Sequence, residues 1–179
     1  MATDNFMVLV QQNGQIFLSE SRIVVDFADP FPGRPNIQRV PQAVFEVSGF
    51  SFQVGQPVAV RQSTGGKTTF APLQLTRNVD RISPILFDMC ASGTKFKYVD
   101  FLLIKSVGGT TGSPVTYSGY GLGAVTITSI SYSSGGEVPQ EAVSLEYEVL
   151  SVGYAQQDSA GKFGEFVIKA WDQVKNARV

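Results

Sequence analysis

The sequence predicts a mainly β protein, an antiparallel β-barrel with one short α-helix, on three observations. Valine outnumbers leucine 22 to 10, and β-branched side chains suit a pleated, half-buried surface. Short apolar runs recur along the chain, most of them bounded by Gly, Ser or Pro clusters. Two of these runs change alternation phase, at Gly49 and at Ser129, as a strand does at a bulge, and bulges bend strands as a closed barrel requires. At 179 residues the chain fits one domain, residues 1–179, with one core and no need of a disulfide or structural metal.

The elements follow in order. Phe6–Val10 and Arg22–Phe27 read as strands around the turn QQNGQ. Residues 28–42 form a proline-rich surface loop, because four prolines fall within Ala28–Pro41 and none of them can donate to a ladder. Ala43–Val54 is a long strand bulged at Gly49: Phe45 and Val47 share one parity, Phe50, Phe52 and Val54 the other. Further strands are expected at Thr69–Thr76, Phe96–Lys105, Val115–Gly119, Ala142–Tyr154 and Phe166–Trp171. Val125 and Ile127 change phase to Ile130 and Tyr132 across Ser129. The unbroken run Phe101–Ile104 needs cover on both faces, from a helix or from another subunit.

One helix is predicted from Ser83. Ser83 is a suitable N-cap, Pro84 suits the first helical position, and Gly93 suits a left-handed stop. Ile85, Leu86, Met89 and Cys90 between them make an apolar stripe of about two turns.

Composition excludes several function classes. Fourteen Lys and Arg against fifteen Asp and Glu give a net charge of −1, which argues against nucleic acid and acidic membranes as partners. The absence of His removes histidine-based nucleophilic catalysis and most zinc sites, so no metal or cofactor is expected. A single Cys cannot make an internal disulfide. No run approaches a membrane span, and the opening MATDNFMVLVQQ lacks the features of a signal peptide, so folding in the cytosol is expected. Gly65-Gly66-Lys67-Thr68 invites a phosphate-loop reading, but that motif needs Gly where Arg61 stands, and Thr69-Phe70-Ala71-Pro72 cannot open a helix. Cys90 lies on the apolar side of the helix, where packing explains it better than nucleophilic chemistry. Glu146 and Glu148 share a strand face, and a solvated or subunit-facing edge explains them better than paired acid–base catalysis. Trp171-Asp172 reads as core or interface. No catalytic constellation remains, and the chain is read as no enzyme.

The run GKTTFAPLQLTRNVDRISPIL, Gly66–Leu86, resembles the signature of the Hcp family, the tube protein of bacterial type VI secretion, in which a G-K-x-x-F strand leads to T-[KR]-x-x-D-x-x-S-P-x-L. Asp80, Ser83 and Pro84 are signature positions in it. EVSGFSFQVGQP (Glu46–Pro57), VPQEAVSL (Val138–Leu145) and Trp171, Asp172 and Asn176 agree with further family stretches in order. Phe52 stands where the family usually has Trp, Ala170 where it has Gly, and the proline-rich segment is longer than expected. The resemblance implies a tail-tube-like barrel that closes into homohexameric rings. These stack inside a contractile sheath behind spike proteins and are expelled toward target cells, with effector proteins as candidate cargo of the lumen. It further implies assembly in the cytoplasm followed by secretion without a signal peptide. The alternatives are a monomeric small-ligand carrier, the tube of a related contractile injection particle and, more weakly, a hydrolase using Glu146, Glu148 or Asp80.

Within the resemblance, Gly55–Lys67 takes the place of a loop that reaches the next ring. Val58 and Val60 are expected to bury against that ring, with Arg61 and Lys67 setting orientation through ion pairs at a wet rim.

Overall fold

The computed structural model describes residues 3–25, 29–57, 67–105, 114–159 and 162–179. In chain order they form β1 (Thr3–Val10), β2 (Phe45–Glu46), β3 (Gly49–Ser51), β4 (Val54–Gly55), β5 (Thr69–Phe70), β6 (Leu73–Asn78), α1 (Ser83–Ser92), β7 (Phe96–Lys105), β8 (Val115–Ser133), β9 (Gln140–Glu146), β10 (Val149–Gln157), β11 (Phe163–Asp172) and β12 (Ala177–Arg178). All strand pairs are antiparallel.

The strand β8 is the spine. Its first half lies between β7 and β10, and its second half pairs with β9. The exchange occurs at Ala124, whose φ of 52° lies in the left-handed region rarely used by residues with a side chain. The facing strand breaks at the same level, at Tyr147 and Glu148 between β9 and β10. The register slips between Ile127 and Ser129, which is the bulge expected at Ser129. The expected strand Val115–Gly119 is thus the start of a longer one, and Ala142–Tyr154 is two.

From β8 the sheet curls through β9 and β6 to β3 on one side and through β7 to β1 and β2 on the other. No single ladder closes it. The gap is bridged by the segment 45–51, whose first part pairs with β1 and whose last part pairs with β6. Between them the Val47 amide donates to Asn5 O and the Ser48 amide to Thr76 O. The phase change at Gly49 is therefore a change of partner strand, not a bulge within one. The expected strand Thr69–Thr76 is also split, because Pro72 has no N–H to donate. β4 and β5 form a separate two-stranded ribbon. Arg22–Phe27 is not a strand within the described residues: only Val24 makes a bridge, to Pro41. Nearby, the Ser19 and Ser21 hydroxyls accept from the Ser21 and Ile23 amides and hold the backbone in local turns.

Side-chain alternation sorts the core into two layers. Met7, Leu9, Val99 and Phe101 point inward with Leu73, Leu75, Leu122, Val125, Val143 and Leu145, filling the space the strands enclose. Phe6, Val8, Val10, Leu102 and Ile104 point to the opposite face of the same strands. That face is covered by the chain itself. The proline-rich strap, residues 29–44, lies over it and buries Phe31, Ile37, Ala43 and Val44. Neither a helix nor a second subunit is needed to account for Phe101–Ile104. Phe31 and Ile37 bring about 1.5–3 kcal/mol each by burial, which lets a segment without ladder bonds stay seated.

Candidate assembly surfaces

The turn into α1 is built around a buried cation. Arg77, on β6, is 2% exposed. Its Nη1 donates to Glu141 Oε1 on β9 at 2.9 Å, its Nη2 donates to Asp80 Oδ2, and its guanidinium lies 5.6 Å from the Phe45 ring. Asp80 Oδ1 accepts from the Ile82 amide, and Ser83 Oγ accepts from the Asp80 amide. The Asp80 carboxylate takes the amide two residues on while the Ser83 hydroxyl reaches back to the Asp80 amide, an arrangement related to a capping box and set three residues upstream of the expected start. Ser83 is therefore not the N-cap expected of it: the position before α1 is Ile82, which makes no side-chain cap bond, and Pro84 falls within the first turn. The displacement follows from Asp80, whose carboxylate takes the first free amide, while Arg81 and Ile82 form a tight turn with the Ser83 amide donating to Asp80 O. Burial raises the Glu141 carboxyl above its ordinary range, while the Ser83 hydroxyl and Arg77 pull it back down.

Helix α1 packs against β8 through Leu86 and Met89 and stops at Gly93, φ 67°. Its apolar stripe is narrower than the sequence implies: Ile85 and Phe87 are exposed, Phe87 by 60%. Cys90 is half-buried against the core.

The remaining predicted residues do not converge. Glu146 ends β9 exposed, while Glu148 lies half-buried beyond the strand break and pairs with Lys95 at 2.9 Å. Tyr147 turns inward between them and donates to Ala71 O; burial, and then the Glu146 carboxylate, push its phenol up to about 12. At the C-terminus Trp171 and Asp172 pair with Arg178 and Ala177 across a tight hairpin. Asp172 Oδ1 accepts from the Lys175 amide at 2.8 Å, a bond that lowers its carboxyl pKa, and Asn176 takes φ 50° to complete the turn. Among the described residues no group of three or more Cys, Asp and Glu could hold a metal ion, and no helix is long and apolar enough to cross a membrane.

What the surface offers instead is docking area. Val58, Val60 and Arg61 lie outside the described residues. Lys67 is exposed, as are Gln56 and Pro57. The segment that joins them springs from the β4–β5 ribbon, where Val54 faces Phe70 and Gly55 faces Thr69. At one end of the ten-stranded sheet β10 and β11 extend beyond β8 as a wing. Val152, Tyr154 and Val167 make an exposed apolar stripe on one of its faces, with Tyr154 directly opposite Val167 and Val152 opposite Lys169. This stripe lines an open cleft of about 570 Å³ with Glu165 and Lys169. Among the described strands, only β12 pairs with the outer side of β11, and only at Trp171 and Asp172, so Phe163–Lys169 is an open edge. The wing carried no sequence signal beyond its alternation. The burial of Asp100 was missed, although its place within an apolar run could have pointed to a buried partner; that partner is Arg34 of the strap at 2.9 Å.

Comparison with known proteins places the fold. A family model described as "Type VI secretion system effector, Hcp" matches residues 38–154, and no curated protein matches. Among solved structures the chain is similar to one described as a type six secretion system protein, 22% identical over 99% of this chain and all of that one, with a TM-score of 0.75. It is also similar to Hcp1 from Salmonella typhimurium, 21% identical over the whole of both chains, TM-score 0.71, and to a mutant Hcp1 from E. coli EAEC 042, 17% identical over 96% of this chain and 99% of that one, TM-score 0.71. At these identities the structures speak to fold, and the family model, spanning more than half of the chain, speaks to descent: the chain belongs to the Hcp family of type VI secretion system effectors.

Proposed function

We propose that the protein is a structural tube subunit that closes into homohexameric rings, which stack within a contractile sheath, behind spike proteins, and are expelled from the cell. The observation that carries this reading, beside the family, is the wing. An open strand edge flanked by exposed Val152, Tyr154 and Val167 is costly for a solitary protein and useful for a heterologous contact that closes by rotation. Ring stacking falls to the segment rising from the β4–β5 ribbon, with Val58 and Val60 as its apolar contact and Arg61 and Lys67 at its rim. Effector proteins are the candidate cargo of the lumen. The rival ligand-carrier reading needs an internal cavity, and the space between the strands is filled by the core side chains.

The test is a double variant, Val152→Asp with Val167→Asp. Both positions are exposed, so the fold should survive with an unchanged circular dichroism spectrum and melting temperature. Light scattering should then report monomers where the wild type gives rings. Rings that persist in the double variant would remove the wing from the ring contact.

A further inference from the structure

Asp100 sits in the apolar run of β7 and is fully buried, 0% exposed. Its register neighbours, Val8 on β1 and Gly121 on β8, bring no charge. The charged groups that face it come from the strap. Arg34 Nε and Nη2 donate to Asp100 Oδ2 and Oδ1 at 2.9 and 3.0 Å, and Asp29 lies beside the pair. On β7 itself the Tyr98 ring carries the Arg34 guanidinium at 3.8 Å, with Lys97 Nζ 5.6 Å from the same ring.

Two carboxylates with one guanidinium leave a negative charge in excess beneath the strap. Asp29 Oδ1 accepts from the Phe31 amide at 2.9 Å, but its Oδ2 is buried and receives no donor from an N–H or hydroxyl group. Ionised carboxylates only accept, so Asp29 and Asp100 can bond to each other only while one of them is protonated. The groups seat directly on the β8 backbone: a Cβ on Gly121 would lie 2.8 Å from Asp100 Oδ1, 2.9 Å from Arg34 Nη2 and 3.0 Å from the Phe31 ring. A residue with no side chain is what lets the strap seat this closely.

We propose that the strap is a proton-dependent latch, in which a proton shared by Asp29 and Asp100 holds residues 29–44 on the outer face of β1 and β7, and loss of that proton in alkaline solution frees them. Burial first, and then the Asp29 charge, push the Asp100 carboxyl up to about 8, and burial also raises Asp29. The sign follows from linkage. The closed strap keeps a proton that the open strap sheds above the ordinary value of 3.8, so the hold weakens as pH rises from there and is at its weakest above about 8. Release would uncover Phe6, Val8, Val10, Leu102 and Ile104, an apolar face ready for another surface.

The test is amide hydrogen exchange of the full-length protein at pH 6 and pH 9, corrected for intrinsic rates, in the wild type and in Asp29→Asn. The variant keeps the Arg34–Asp100 pair and removes the second charge. Wild-type amides across residues 31–44 should lose about a hundredfold in protection at pH 9, β6 and β9 should not change, and the strap of Asp29→Asn should be equally protected at both values. Equal protection in the wild type, or the same loss in the variant, overturns the latch. If the variant does not fold, carboxyl-carbon shifts of the wild type decide. Two aspartates changing together near pH 8 uphold the proposal, and every aspartate fully ionised by pH 6 overturns it.

Discussion

Arg77 shows how much one residue organises. Its guanidinium joins β6 to β9 through Glu141 and to the α1 turn through Asp80, inside the fold and away from water. Replacing it with Ala would leave the Glu141 carboxylate, whose side chain is 0% exposed, and that of Asp80, 17% exposed, without their cation. Uncompensated buried charge of this kind costs about 3–5 kcal/mol. Ser83→Ala removes only the hydroxyl that receives the Asp80 amide, a loss of about 1 kcal/mol. Chemical denaturation should therefore rank Arg77→Ala far below Ser83→Ala in stability. Similar midpoints for the two would show that the network does not hold the turn. The signature positions Asp80, Ser83 and Pro84 thus shape a turn and a helix start.

At the scale of elements, local patterns were legible in the sequence and long-range pairings were not. The strand Phe96–Lys105, the bulge at Ser129 and the helix stop at Gly93 follow from alternation and from one residue's backbone freedom. The partner change within residues 45–51 does not, because whether a phase flip marks a bulge or a change of sheet depends on strands far away in the chain. The strap was hidden for another reason. Phe31 and Ile37 stand isolated in a proline-rich segment with no periodicity, and only Asp100 hinted that something charged must reach β7. The wing looks like ordinary strand in the sequence because edge and centre strands can share one alternation. The ribbon β4–β5 belongs to this scale as well. It pairs Val54 with Phe70 and Gly55 with Thr69 on either side of the segment proposed to stack rings. Val58→Asp with Val60→Asp should accordingly leave ring mass and melting temperature as they are and abolish longer stacks in sedimentation. Unfolded monomers instead would assign those valines to the barrel.

The whole molecule combines a filled interior, a self-supplied cover on one face and an unpaired wing on one side. The first, among the described residues, packs the space between the strands with core side chains. The second covers Leu102 and Ile104 from within the chain itself. The third is an open strand edge with apolar flanking side chains, the kind of surface that the proposed ring would bury. The proposed rotation, closing after six copies, would satisfy every wing at once, while one that does not close would leave filaments with free ends. Negative-stain electron microscopy of the purified wild-type protein tests this most directly. The account predicts uniform six-fold rings with open centres, alone or in short stacks; a field of small featureless particles the size of one chain would contradict it.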